Sequence, residues 1–307
     1  MPALRERGHL DAAADRGELT VPDSLGDLVV KSCVLAVLVV LASVYTRGWR
    51  ALRRRGHGTI TREWRLVVYL AGLGVIGLAL LSPIDALADA WFSAHMLQHL
   101  LLTMVAAPLL LLGNPLPPCL WGVPPRARHA LGHPLTRPAP FRRMLAALTR
   151  LPVAWLIYVG FLWGWHLPLL YGAALEHEAV HILEHLTFFA SSLIFWWPIV
   201  RPAPRLHPRL HPGFEILYLV AATAQNTALG AFLSLQERVV YRHYARSTPA
   251  IDAISDQTLA GGILWINGHM YLLPILLLLW RFAQETDGPS PGVSPTADTA
   301  GTSRSGR

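Results

Sequence analysis

Apolar residues in this chain neither alternate nor occupy one face of short helices. They run almost without interruption near residues 27–46, 66–82, 90–113, 152–171, 178–199, 214–236 and 259–281. Runs of roughly 17 to 25 residues are the length an α-helix needs to cross a hydrocarbon core about 30 Å thick. The pattern therefore predicts an all-α fold, a polytopic membrane bundle of seven transmembrane helices within residues 26–282. Residues 1–25 mix Arg, Asp and Glu with no continuous apolar stretch, which predicts a polar tail and not a cleaved signal peptide. Residues 283–307 are small, polar and rich in Pro and Gly, a composition that buries too little apolar surface to fold, and they are expected to be disordered.

Composition strengthens this reading. Hydrophobic residues make up 53% of the 307 and charged residues only 15%, against about 25% charged in soluble domains. The net charge of +7 is unevenly placed. Arg47, Arg50, Arg53, Arg54, Arg55, Arg62 and Arg65 follow the first span, and Arg126, Arg128, Arg137, Arg142, Arg143 and Arg150 follow the third. The connections after the second and the fourth span carry Asp85 and Asp89, or Glu176, His177 and Glu178, with neither Lys nor Arg. Basic residues near span ends stay cytoplasmic, so the N-terminus is expected outside and the C-terminus inside. The charge then marks topology in a multi-pass plasma-membrane protein whose surroundings are the lipid bilayer. It is not a nucleic-acid footprint.

The chemistry-bearing residues are histidines. HMLQH places His95 and His99, and HILEH places His181 and His185, at i,i+4 near the starts of two spans. Residues four apart share a helix face, so each pair can address a common centre. With the expected orientation, His95 and His99 lie roughly 8 to 14 Å below the outer surface and His181 and His185 roughly 5 to 11 Å. His166 closes the fourth span on that side, and His177 extends the stripe of the fifth. Ionisable groups in a bilayer are costly and mark function, and imidazole is the commonest transition-metal ligand. The candidate metal ligands are His95, Met96, His99, His166, His177, His181 and His185, backed by Gln98 and Glu184. Methionine thioethers favour Cu(I) over zinc. HILEH also fits the H-x-x-E-H pattern of zinc hydrolases, but Gln98 stands where the other pair would need the Glu. The alternative is a haem-binding membrane oxidoreductase using the same histidines. Cys33 and Cys119 are expected at opposite sides of the membrane and form no disulfide.

Three ordered blocks carry a family resemblance: LSPIDALADAWFSAHMLQHLLLTMVAAPLLLLGNP, WHLPLLYGAALEHEAVHILEHLTFFASSLIFWWPIV and DQTLAGGILWINGH. Over about residues 80 to 280 the chain resembles the polytopic, seven-span CtaG family of assembly factors for bacterial cytochrome c oxidase. The resemblance implies a non-enzymatic plasma-membrane metallochaperone of the respiratory chain, with copper insertion as its role and cytochrome c oxidase subunits as its partners. The matching motif positions are His95, Met96, Gln98, His99, His166, Pro168, His181, Glu184, His185, Asp256 and Gln257. Gly172 stands where the pattern has an acidic residue, so no ligand is assigned there.

Overall fold

The computed structural model describes residues 25–136, 139–241, 243–244 and 253–286. The expected polar tail falls outside the described residues up to Leu25. The expected C-terminal tail does so from residue 287, and residues 283–286 continue the last helix.

The described residues form helices and connecting turns. α1 (Leu25–Arg54) and α2 (Glu63–Leu81) are followed by a short helix α3 (Pro83–Ala90). The third apolar run is α4 (Phe92–Leu100), a π-helical segment over Leu101–Ala106, and α5 (Ala107–Leu112), continuous with one another. Three short helices, α6 (Leu116–Gly122), α7 (Pro125–Gly132) and α8 (Pro140–Leu148), fill the arginine-rich connection. Then come α9 (Leu151–Trp165), α10 (Pro168–Glu176), α11 (Glu178–Val200), α12 (Pro212–Ser234), α13 (Ala253–His269) and α14 (Leu272–Thr286).

Six stretches are long and apolar enough to cross a membrane: 26–54, 63–81, 92–112, 178–200, 212–234 and 253–280. A seventh arises if α8 and α9, which meet at 70°, form one span. The expected run over 152–171 is interrupted in a specific way. Pro168 forces Leu167 into an extended conformation (φ −66°, ψ 131°), so α9 stops at His166 and α10 starts afresh. The first span reaches eight residues beyond the expected 46, to Arg54, and places Arg50, Arg53 and Arg54 on helix α1.

Large side chains on the outer faces, such as Leu156, Leu169, Leu217 and Leu276, are well exposed, as lipid-facing positions are. Inside, aromatic rings and small residues let helices approach. At the α12–α13 crossing, a Cβ on Gly230 would lie 2.7 Å from the Gly261 carbonyl oxygen, so glycine there permits backbone contact. Close packing also fixes the two ends of the bundle. At one end the N-termini of α4, α11 and α13 converge. At the other, Asn114 accepts from the Ala203 N–H at 2.7 Å and Tyr45 donates to the Gly113 carbonyl at 2.6 Å.

The π segment begins two residues after His99. Its Thr103 carbonyl accepts from Trp196 Nε1 at 3.0 Å, which ties the segment to α11.

Candidate metal centre

α4 and α11 present their histidine faces to each other. His95 and His99 ring centroids are 4.4 Å apart, His181 and His185 4.3 Å, and across the helices His95–His181 and His99–His185 are both 5.2 Å. His95 is 1% exposed, His99 6% and Glu184 0%. His181 and His185 are partly buried at the edge.

The ligand atoms converge. One nitrogen each from His95, His99 and His185 lie within 4.8 Å of one another, as do atoms of His95, His181 and Glu184. His95 Nε2 is 3.0 Å from His99 Nε2. Two nitrogens on one tetrahedral ion, each at about 2.0–2.1 Å, would be about 3.3 Å apart, so this separation needs little adjustment. Glu184 is one residue before His185 on the helix, yet its carboxylate reaches between the α4 rings, 3.7 Å from His95 Nε2 and 3.9 Å from His99 Nε2.

The donor set is also unsatisfied. His99 Nδ1, His181 Nε2, His185 Nε2 and both Glu184 oxygens are buried with no hydrogen-bond partner among the described residues. Buried polar atoms are normally paired. Several orphaned acceptors in one place are what a cation would satisfy, and the residues present fit a metal ion.

Hydrogen bonds outside the cluster orient its rings. Tyr244 donates to the Ala88 carbonyl at 3.0 Å, so His95 Nδ1, 3.1 Å from the same hydroxyl, is the donor to it. The Nε2 lone pair of His95 is thereby directed at His99 and Glu184. His166 Nδ1 faces the Leu162 carbonyl at 2.7 Å and must donate, which leaves a buried, unpartnered Nε2 lone pair beside Tyr171 and Phe188. Outside the spans, burial raises the Asp89 carboxyl and the Tyr241 and Tyr244 hydroxyls above their ordinary ranges, so both tyrosines remain protonated donors.

Of the residues expected from the sequence, the structure brings together His95, His99, His181, His185 and Glu184, with His166 adjacent. It does not bring in the other three. His177 is exposed at the N-cap of α11, one turn short of the cluster. Met96 is buried in an apolar group with Phe92, Leu162 and Trp165, on a different face of α4 from His95. Gln98 turns toward α2 and α3 and donates to the Ala79 carbonyl at 2.9 Å and to Asp85 at 2.8 Å. Asp85 in turn pairs with Lys31.

Asp256 and Gln257 lie within the first turn of α13, and their partners lie elsewhere. The Asp256 carboxylate accepts from the N–H groups of Phe92 (2.7 Å) and Ser93 (3.2 Å) and from the Ser93 hydroxyl (2.5 Å). It caps α4 from across the bundle. Gln257 accepts from the Val240 N–H at 2.7 Å and donates to the Leu233 and Arg238 carbonyls, holding the loop that carries Tyr241 and Tyr244 over the histidines. Tyr241 completes that cover by donating to the His166 carbonyl at 2.8 Å, and its ring lies 4.1 Å from that of Tyr171. These three tyrosines were not among the expected site residues. The tyrosine pair flanking Arg242 and His243 in an otherwise polar connection was the available signal.

A model of the cytochrome c oxidase caa3 assembly factor family, Caa3_CtaG, matches residues 43–285, extending the resemblance read over 80–280 into the first helix. Uncharacterized proteins of Mycobacterium bovis and Mycobacterium tuberculosis are each 30% identical over 261 residues, covering 81% of this chain and 37% of their own length. An uncharacterized protein of Mycobacterium leprae is 26% identical over 266 residues, covering 81% of this chain and 38% of its own. The chain thus spans less than two fifths of the length of these curated relatives. No solved structure matches it. With a match over most of its length and membrane-length helices throughout, the chain belongs to the CtaG family of cytochrome c oxidase assembly factors.

Proposed function

We propose that this protein binds copper between α4 and α11 and supports its delivery to cytochrome c oxidase subunits in the bacterial plasma membrane. The observation that carries this reading is the convergence of His95, His99, His181, His185 and Glu184, most of their inward atoms lacking a protein partner. Family membership supplies the context of oxidase assembly, a role of assembly and not of catalysis. His166 beside the cluster and His177 one turn before it extend the proposed set, with Met96 acting through the packing of α4 and Gln98 through its grip on α2 and α3. A site of borderline imidazole ligands with one carboxylate and partly exposed edge histidines suits an ion that must leave again.

The arginine distribution supports an orientation with the N-terminus outside, the C-terminus cytoplasmic and the histidine end in the outer leaflet, across seven spans with the bent α8–α9 pair counted as one. The haem alternative receives less support from the packing. Phe188 lies 4.6 Å from the His99 ring and Tyr171 5.3 Å from that of His95, so the space a macrocycle would need beside those rings is filled.

Metal analysis and absorption spectroscopy of the purified protein beside its His95→Ala/His185→Ala variant test the proposal. Copper bound by the wild type and lost from the variant, with a matching fall in oxidase copper content, is expected. A strong Soret band with stoichiometric iron, or equal copper in both proteins, would overturn it.

A further inference from the structure

A second polar concentration lies at the opposite end of the bundle. There a cavity of about 1450 Å³ opens between α9, the end of α11, the connection after it and α12. Five arginines line it (Arg65, Arg150, Arg201, Arg205 and Arg209), and no Asp or Glu side chain among the described residues does. Arg201 pairs with Glu215 behind the wall, which leaves the lining itself strongly basic.

The cavity also holds unused donors. Arg65 Nε, Trp155 Nε1 and Trp197 Nε1 are buried without a hydrogen-bond partner among the described residues, and all three residues line it. A buried N–H left unpaired is costly, and these N–H groups cannot accept. The missing partner is therefore an acceptor, and the four lining arginines besides Arg201 make it an anion. Apart from Thr149 and His207, the remaining walls are mostly aliphatic and aromatic, with Leu156, Phe214 and Leu217 exposed on the lipid-facing side. The volume exceeds the roughly 300–1,000 Å³ typical of small-molecule sites, so a bare oxyanion would leave most of it empty. A molecule with an anionic head and long apolar tails matches both halves of the lining.

We propose that this cavity binds an anionic phospholipid, its phosphodiester held by the arginines and the two indole N–H groups and its acyl chains laid along α9 and α12. The site is independent of the histidine centre and of the metal it takes. Bound lipid would brace α9 against α12, which pack on each other.

The full chain, purified in mild detergent, can be incubated with phosphatidylglycerol, phosphatidylcholine or inorganic phosphate and examined by native mass spectrometry. Phosphatidylglycerol should be retained at least about tenfold more than phosphatidylcholine, which offers the same phosphodiester but brings a choline cation against the arginine-lined wall. Trp155→Phe/Trp197→Phe, which keeps the rings and removes only the N–H groups, should lower that retention about tenfold. Arg150→Gln/Arg205→Gln should abolish the preference with the tryptophans intact. Equal retention of the two lipids overturns the proposal, as does retention unchanged in both variants. So does displacement of the lipid by inorganic phosphate, which would identify a free-phosphate site.

Discussion

The capping of α4 by Asp256 gives a prediction whose size follows from the geometry. Asp256 is 0% exposed, and its carboxylate meets three donors: the Phe92 and Ser93 N–H groups and the Ser93 hydroxyl. The two N–H groups are the first of α4, and the N-cap residue Trp91 has no capping side chain of its own. Asp256→Ala removes a cap worth about 0.5–2 kcal/mol, and each donor left buried and unpaired costs about 1–3 kcal/mol. A loss of about 3 kcal/mol is expected, roughly a hundredfold in the folded-to-unfolded ratio. Asp256→Asn keeps one acceptor oxygen, sets an NH2 against a donor that the other oxygen served, and should lose about 2 kcal/mol. Ser93→Ala should couple to it by about 1 kcal/mol in a double-mutant cycle, because the two side chains touch. Unfolding in mild detergent, followed by circular dichroism, reads the wild type and these variants. His95 lies in the same first turn, so Asp256→Ala should also weaken metal binding although Asp256 is no ligand. Stability within about 0.5 kcal/mol of wild type for Asp256→Ala, or strict additivity in the cycle, would refute the cross-bundle cap.

Two further outcomes follow. Glu184→Gln should lower metal affinity about 10–100-fold, measured by competition with a chelator, without lowering the thermal midpoint of the metal-free protein, since the native carboxylate has no hydrogen-bond partner to lose; unchanged affinity would remove Glu184 from the site. His207, whose Nε2 lies 2.9 Å from Thr149 Oγ1, is held below its ordinary pKa of 6.5 by partial burial and then by Arg150. The unfolded chain therefore takes up its proton first, and this contribution to stability is present above about pH 6.5 and lost as pH falls through the folded value. His207→Gln should flatten the decline of the melting temperature between pH 7.5 and about 5.5, and an equal decline in both proteins would contradict the assignment.

Local repetition made much of the bundle and its centre readable in advance. Continuous apolar runs marked the membrane-length helices, and the i,i+4 pairs put His95 with His99 and His181 with His185 because helix geometry alone decides which side chains share a face. Glu184 was legible as a neighbour of His185, but its reach into the α4 rings depends on how α4 and α11 dock. The same dependence explains the residues that ended elsewhere. Met96 is adjacent to His95 in sequence and about 100° away on the helix, and His177 precedes the first residue of α11. The tyrosine cover was illegible because Tyr241 and Tyr244 reach His166, Ala88 and His95 over sequence separations of 75 to 156 residues. Asp256 was legible only as a motif position, and the packing of α13 against α4 is what reveals it as the cap of α4.

The π segment at Leu101–Ala106 bears on how relatives of this chain are to be compared. A π turn holds one more residue than the α-helical turn it replaces, so it amounts to an insertion that leaves the helix unbroken. A homologue lacking it would be one residue shorter between His99 and Ala107, with no loop to show where the residue went. An alignment that places that gap anywhere before His99 would slide the histidine pair off its counterpart, and a ligand that is present would be scored as lost. The register of this family is best anchored separately on either side of residues 101–106.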